Sequence, residues 1–155
     1  MSYDNYILVK KPPNTLIKGL TTKKHRALGT PDYNSTLAQH NAYVAALRKT
    51  SDKIIVLKQE NEYPDSHYIQ DTAAILDKYV IIANMNKKRN GETISIKNYL
   101  VNMGFEIIHM PPHAKIEFGD IVSLGEEGLL LGVSKRTNKY GAIHFSNIVK
   151  DIRHA

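Results

Sequence analysis

The nine residues YPDSHYIQD, at positions 63–71, determine how the rest of the chain is interpreted. Pro64 disfavours a helical conformation in the residue before it, so this stretch begins as an extended segment or a turn. The apolar run at 73–76 follows at once, which is typical of a polar loop leading into a buried strand. Asp65 and Asp71 are therefore predicted at the mouth of a sheet. Two carboxylates there suit a flat, multi-donor cation such as a guanidinium, although a solvated acidic turn is the alternative interpretation.

Composition places the chain among ordinary globular proteins. Its 155 residues are enough for one domain with a hydrophobic core, and 42% hydrophobic and 23% charged residues are typical values. No apolar run is long enough to span a membrane, and the first residues lack the pattern of a secretory signal. The chain has no cysteine, which excludes a disulfide framework, a thiolate metal site and a cysteine nucleophile within it. We expect a cytoplasmic protein with no metal, no cofactor and no membrane partner.

The formal net charge is +6, and the basic residues cluster at 10–11, 23–26 and 87–89. Such clusters could form a nucleic-acid patch. However, they lie far apart at predicted loop positions, no predicted helix carries a continuous basic face, and no stacking-aromatic signature is present. We therefore do not expect a nucleic-acid partner.

Hydrophobic periodicity predicts an α/β fold. Asp32 is a suitable N-cap for the first helix, and Gly104 supplies a left-handed stop after the second. The segment 16–26 has no clear period and is predicted to be a long surface loop. The predicted strands are 6–9, 53–57, 73–76, 79–83, 105–110, 121–124 and 129–133, and the predicted helices are 33–49, 92–103 and one that begins near 142 and runs to the end.

The order of these elements contains a repeat. A hairpin, a helix and a strand occur between 73 and 110, and a hairpin and a helix follow again from 121 without a closing strand. This pattern predicts repeated ββαβ-like units. The apolar face of the last helix, which includes Phe145 and Ile152, is then left to be covered by a neighbouring subunit or by the existing sheet.

A set of short motifs occurs in order along the chain: LIKGLTT (16–22), PDY (31–33), AQH with YVAAL (38–40 and 43–47), PDS through Asp71, Arg89 with GE (91–92), GD (119–120), and SKRTN with GA (134–138 and 141–142). Considered together, these motifs resemble those of the dimethylarginine dimethylaminohydrolase family. These enzymes modify guanidines and are related to arginine deiminases and amidinotransferases. The resemblance extends from about residue 6 to the end of the chain and implies that 1–155 form a single incomplete domain. That domain would be about half of an α/β-propeller, whose full ring has five ββαβ modules.

The resemblance also implies a reaction, the hydrolysis of Nω-methylated arginine to citrulline and a methylamine. A cysteine of the family attacks the guanidinium carbon, and a histidine transfers protons. At the matching positions, Leu20 would belong to a mobile lid, and Asp65 and Asp71 would hold the guanidinium nitrogens. Arg89, and Arg136 or its immediate loop, would pair with the substrate α-carboxylate.

The chain departs from the family pattern at several positions. Gln70 replaces an acidic residue of the substrate site, which removes a negative charge facing a cationic substrate. Phe118 stands where the family often has glycine, and the loop around Arg89 is one residue shorter than usual. The segments that carry the catalytic cysteine and histidine would lie beyond position 155, so no catalytic residue is assigned. His67 is expected to be a local surface residue, and His40 a packed, hydrogen-bonded core histidine.

Two functions follow as expectations. The first is a half of a dimethylarginine-type hydrolase that binds a methylated arginine through Leu20, Asp65, Gln70, Asp71, Arg89 and Arg136. It would be inactive alone, with a homo-oligomer or a complementary C-terminal half as its partner. The alternative is a noncatalytic module derived from the same family, which binds an arginine-like ligand or a protein.

Overall fold

The chain is α/β, as predicted. A computed structural model describes residues 6–154, apart from the side chain of Glu126. The structure divides into two compact units between Ile69 and Gln70. The first unit contains β1 (Ile7–Lys10), α1 (Lys23–Arg26), α2 (Tyr33–Leu47) and β2 (Ile54–Leu57). The second contains β3 (Ala73–Leu76), β4 (Tyr79–Ile82), α3 (Glu92–Asn102), β5 (Glu106–His109), β6 (Ile121–Ser123), β7 (Leu129–Leu131) and α4 (Lys139–Arg153).

In the first unit, β1 and β2 form a parallel pair, and α2 connects them in the chain. The predicted cap of α2 is confirmed, because Asp32 Oδ1 accepts a hydrogen bond from the Ser35 N–H at 2.7 Å. Hydrogen bonds from Ser35 lower the pKa of the Asp32 carboxyl below its usual value. The predicted stripe of Leu37, His40, Val44 and Leu47 also lies on the inner face, with Val44 the most buried of the four. The helix ends at Leu47, two residues earlier than predicted.

The segment 16–26 is more ordered than the predicted loop. It contains a 3₁₀ turn at Leu16–Lys18 and the short helix α1. Thr22 caps α1, since its hydroxyl accepts a hydrogen bond from the His25 N–H at 3.2 Å. The prediction missed α1 because one helical turn is too short to show an apolar period, and all four of its residues are exposed.

In the second unit, β3, β4 and β5 form one sheet in that order. The predicted hairpin is confirmed, with β3 antiparallel to β4 and Asp77 in the left-handed region at φ 52°. The β5 strand lies parallel to β4. The predicted stop after α3 is also confirmed, because Gly104 follows the helix with φ 92°.

The last hairpin and helix complete the second unit. The β6 and β7 strands pair antiparallel, and α4 begins three residues earlier than predicted. The reason is a cap: Asn138 Oδ1 accepts a hydrogen bond from the Gly141 N–H at 2.8 Å. The apolar face of α4 packs against this unit's own core, as Phe145 lies inside it and Ile148, Val149 and Ile152 contact it. Over residues 6–154 the strands form three separate small sheets, and none of them closes.

Candidate functional site

In the first unit, Asp65 is bound to the predicted lid residue. Oδ2 of Asp65 accepts a hydrogen bond from the backbone N–H of Leu20 at 2.8 Å. A Cβ atom at Gly19 would overlap with Oδ1 of the same carboxylate, so only glycine permits this approach. The Leu20 side chain itself is 46% exposed. A hydrogen bond therefore links Leu20 and Asp65, the two site residues that the sequence predicted for this unit.

The acidic loop that carries Asp65 is anchored by a buried cation. Lys10, at the end of β1, donates to Glu60 at 2.6 Å, and its side chain is only 1% exposed. The loop then turns through backbone hydrogen bonds from Ser66 to Tyr63 and from Tyr68 to Asp65. This partly buried ion pair holds the start of the loop and, through it, the position of the Asp65 carboxylate.

Leu20 and Asp65 line an open pocket of about 450 Å³ within the first unit. His67 and Tyr68 contribute aromatic surface to it, and their ring centroids are 4.0 Å apart. Arg26 contributes a cation. A carboxylate beside polar and aromatic surface is an arrangement that can hold a small cationic group.

In the second unit, Arg89 is the centre of a buried ion cluster. It donates from Nη1 to Asp71 Oδ2 at 2.9 Å and to Glu117 Oε2 at 3.1 Å. Its Nε and Nη2 donate to the carboxylate of Glu92 at 2.8–3.1 Å. Arg89, Glu92 and Glu117 are each less than 5% exposed. One guanidinium thus satisfies three carboxylates that would be costly to bury alone.

Burial and neighbouring charges shift the pKa values of two groups in this cluster, Arg89 and Glu117. Burial works to lower the pKa of the Arg89 guanidinium, but hydrogen bonds and attraction from Glu92 and Asp71 outweigh it and raise the pKa above its usual value. Burial raises the pKa of the Glu117 carboxyl, and nearby Asp71 adds to this rise. Arg89 and Arg136 oppose the rise without cancelling it. The Glu117 carboxyl therefore takes up a proton more readily in the folded protein than it would in water.

Phe118, which stands where the family often has glycine, is accommodated in the core of the second unit. The Phe118 side chain is 3% exposed and packs in the core of the second unit, with its ring centroid 5.3 Å from that of Phe145. The next residue, Gly119, provides the close backbone approach, because a Cβ atom there would overlap with Asp71 Oδ1. The phenylalanine is thus accommodated on the core side, and the glycine that the Asp71 carboxylate requires is retained.

Arg136 differs from Arg89 in its accessibility. Its Nη1 donates to Glu117 Oε2 at 3.2 Å, while 59% of its side chain is exposed. Glu117 therefore receives a hydrogen bond from both arginines that the sequence predicted as carboxylate-binding residues. Gln70, the other predicted residue of this unit, is exposed.

Sequence reasoning missed two members of this cluster, Glu92 and Glu117. The available signal was a glutamate between Ile116 and Phe118, in a segment whose neighbours are apolar. A charged residue in such a run is rarely buried unless it is paired, and the pairing here is with Arg89. Glu92 had a weaker signal, because an acidic residue in the first turn of a helix is ordinary.

The histidines follow the expectations only in part. His40 is half-buried on the inner face of α2, but its Nε2 is buried without a hydrogen-bond partner among the residues described, so the expected hydrogen bond is wrong for that atom. Burial, followed by repulsion from Lys11, lowers the pKa of His40. His67 is half-buried rather than fully at the surface.

No group of three metal-ligating side chains occurs between residues 6 and 154, and no helix in that range is long and apolar enough to cross a membrane.

Comparison with known proteins identifies relatives of this chain. A family model described as arginine deiminase matches residues 18–152. The N(G),N(G)-dimethylarginine dimethylaminohydrolase of Pseudomonas aeruginosa is 33% identical over 141 residues, which is 88% of this chain and 53% of that protein. The chain spans about half the length of the curated relatives it matches.

Two solved structures agree closely with the fold. One is a dimethylarginine dimethylaminohydrolase adduct with S-methyl-L-thiocitrulline, with a TM-score of 0.85 and 31% identity over 94% of this chain and 57% of the other. The second is a variant of the Pseudomonas aeruginosa enzyme in complex with citrulline, with a TM-score of 0.85 and 32% identity over 94% and 56% of the two chains.

Proposed function

The chain belongs to the arginine deiminase family, and on this premise we propose that it forms the substrate-binding part of a hydrolase that acts on methylated arginine. The reaction would convert Nω-methylated arginine to citrulline and a methylamine. In fold terms, the chain would be about half of an α/β-propeller built from ββαβ modules, in one incomplete domain. Relatives in complex with citrulline and S-methyl-L-thiocitrulline support a ligand with an amino-acid end and a guanidine-like end.

The Asp65 carboxylate is the observation that carries this proposal. The Leu20 N–H orients it from one side, and it lines an open pocket large enough for an amino acid. A guanidinium bound there would donate in-plane hydrogen bonds to an acceptor-only group, which gives both charge and geometric selectivity. Orienting the guanidinium in this way is what a nucleophile needs for attack at its central carbon.

We also propose roles for the four predicted residues of the second unit. Arg136 is the more accessible arginine and is proposed to pair with the substrate α-carboxylate. Arg89 would share its guanidinium between that role and the buried carboxylates that hold it. Asp71 is proposed as a second guanidinium acceptor, and Gln70 as a neutral acceptor that replaces an acidic one.

Catalysis requires a group that this sequence does not contain. Attack on a resonance-stabilised guanidinium needs an activated nucleophile, and the sequence has no cysteine. We therefore propose that these 155 residues do not hydrolyse dimethylarginine by themselves. The thiolate and the proton-transferring histidine would come from other residues, in a longer chain or in a second chain.

Calorimetry with Nω,Nω-dimethyl-L-arginine and with L-citrulline tests this proposal. We expect binding of both, and an affinity loss of about tenfold or more in Asp65→Asn, because hydrogen bonds to a charged group are worth about 1.5–3 kcal/mol. Asp52→Asn, an exposed carboxylate of the same unit, is the matched control and should bind as the unchanged protein does. Absence of binding by the unchanged protein at millimolar ligand would overturn the proposal, and an unchanged affinity in Asp65→Asn would remove that residue from the site.

A noncatalytic binding module is the second candidate, and the β6–β7 hairpin favours it. Val122 and Leu130 are each 58% exposed on neighbouring positions of these strands, and Val133 is 66% exposed. Exposed apolar side chains next to one another favour association, either with a second copy or with a complementary half. Sedimentation velocity over a hundredfold concentration range tests self-association. A monomer at every concentration would contradict self-association. Citrulline production on mixing with a chain that carries the missing cysteine and histidine would favour the hydrolase half over the noncatalytic module.

A further inference from the structure

Asp120 organises the turn that carries Arg136 through a single oxygen atom. Oδ2 of Asp120 accepts hydrogen bonds from Thr137 Oγ1 at 2.6 Å and from Ser134 Oγ at 2.9 Å. Each hydroxyl has one proton to donate, so a carboxylate, which only accepts, suits this position. Across residues 6–154 no cation forms an ion pair with Asp120. The hydrogen bonds of its side chain are with Ser134 and Thr137 of the turn.

Ser134 connects the Asp120 carboxylate to the backbone of Arg136 through hydrogen bonds of its hydroxyl group. With its proton directed to Asp120, Ser134 Oγ accepts hydrogen bonds from the N–H of Arg136 at 2.9 Å and from the N–H of Thr137 at 3.2 Å. The Ser134 N–H in turn donates to the Thr137 carbonyl at 2.8 Å. The turn at 134–137 is therefore closed on itself and tied to one carboxylate.

The far end of the turn is fixed in the core. Thr137 is completely buried, and its hydroxyl accepts a hydrogen bond from the Glu117 N–H at 3.2 Å. The Asn138 N–H donates to the Lys115 carbonyl at 3.0 Å. The Arg136 side chain therefore projects from a turn held at both ends by hydrogen bonds; 59% of it is exposed, and its Nη1 reaches Glu117.

We propose that Asp120 is a positioning residue: it aims the Arg136 guanidinium at the α-carboxylate of the ligand by holding the Ser134 and Thr137 hydroxyls. This inference rests on the proposed function for the identity of the ligand. It does not require Asp120 to touch that ligand. A rigid turn lowers the entropy lost when a long side chain is fixed on binding, so the expected effect is on affinity for a ligand that has a carboxylate.

The first part of the test needs no ligand. Amide hydrogen exchange at Arg136 is measured by NMR in the unchanged protein and in Asp120→Ala, Ser134→Ala and Ser134→Thr. We expect exchange at least about tenfold faster in the two alanine variants and near-normal exchange in Ser134→Thr, which keeps the hydroxyl. Asp151→Ala, an exposed carboxylate on α4, is the control and should leave exchange unchanged. Unchanged exchange at Arg136 in Asp120→Ala overturns the proposal.

The second part compares L-citrulline with its decarboxylated analogue by calorimetry. Asp120→Ala should weaken citrulline binding about tenfold, leave binding of the analogue unchanged, and have no further effect when Arg136→Ala is also present. Equal weakening of both ligands would show a merely structural role and overturn the proposal. If the unchanged protein binds neither ligand, the proposed function fails, and the exchange measurement alone decides whether Asp120 positions the turn.

Discussion

Nη2 of Arg89 lies 2.8 Å from Oε2 of Glu92, and both side chains are almost completely buried, with 4% and 1% exposed. The two residues are three positions apart, where the chain enters α3. Asp71 and Glu117 also accept hydrogen bonds from the same guanidinium. Because Arg89 is buried and paired with these carboxylates, it has a structural role in addition to any role in binding. The exposed Arg136 differs in this respect.

Replacing Arg89 should strongly destabilise the second unit. Arg89→Met retains much of the side-chain length but removes the Arg89 cation from the buried Glu92 carboxylate and leaves Glu117 paired with Arg136 alone. We expect a loss of about 3–5 kcal/mol in the free energy of unfolding, measured by urea denaturation. Lys88→Met, an exposed neighbour, is the matched control and should change stability by less than about 0.5 kcal/mol. A loss below about 1 kcal/mol for Arg89→Met would contradict the described ion cluster.

The stability of the protein should depend on pH through Glu117. Burial raises the pKa of this carboxyl in the folded state above its usual value of 4.5, so the folded state holds a proton more tightly than the unfolded state does. The resulting stabilisation is complete below the unfolded pKa and is lost as pH rises through the folded pKa. Urea unfolding at a series of pH values should therefore show Glu117→Gln gaining stability relative to the unchanged protein as pH rises from 4.5. A difference that is constant with pH, or that changes in the opposite direction, would show that Glu117 is not the linked group.

Gly119 should not tolerate a side chain. In Gly119→Ala the new Cβ would overlap with Asp71 Oδ1, and displacement of this carboxylate would disturb its hydrogen bond to Arg89. We expect a loss of about 1–3 kcal/mol in stability, the usual range for overpacking. Gly132→Ala provides the comparison, because the nearest atom to its Cβ is Asp120 O at an ordinary 3.5 Å. Similar losses in both variants would argue against a specific clash at Asp71.

Removal of the N-cap of α4 should measurably lower the stability of the protein. Asn138→Ala removes the hydrogen bond from the Gly141 N–H and the bond from Asn138 Nδ2 to the His113 carbonyl at 2.9 Å. We expect a loss of about 1–2 kcal/mol in thermal or urea unfolding. Asn147→Ala, at an exposed position inside the same helix, should be neutral or slightly stabilising because alanine is the better helix former. If both variants behaved alike, the cap would not be the cause.

Much of the fold follows from local patterns. The cap at Asp32, the stripe along α2, the hairpin around Asp77 and the stop at Gly104 each depend on residues no more than a few positions apart, so their spacing in the sequence carries the information. The start of α4 was misplaced for a related reason. Asn138 stands in a polar stretch, and its capping role is visible only when the Gly141 N–H is known to point at it.

The candidate site depends on longer distances. The sequence by itself determined that Asp65, Asp71, Arg89 and Arg136 stand in motifs that resemble those of guanidine-modifying enzymes, and that no cysteine is present. Only the tertiary structure decided that Asp71 and Glu117 share the guanidinium of Arg89, from 18 and 28 residues away, and that Arg136 stays exposed. The physical reason is that burial and charge pairing are set by which distant segments pack together. A residue's type and its neighbours in the chain do not specify this.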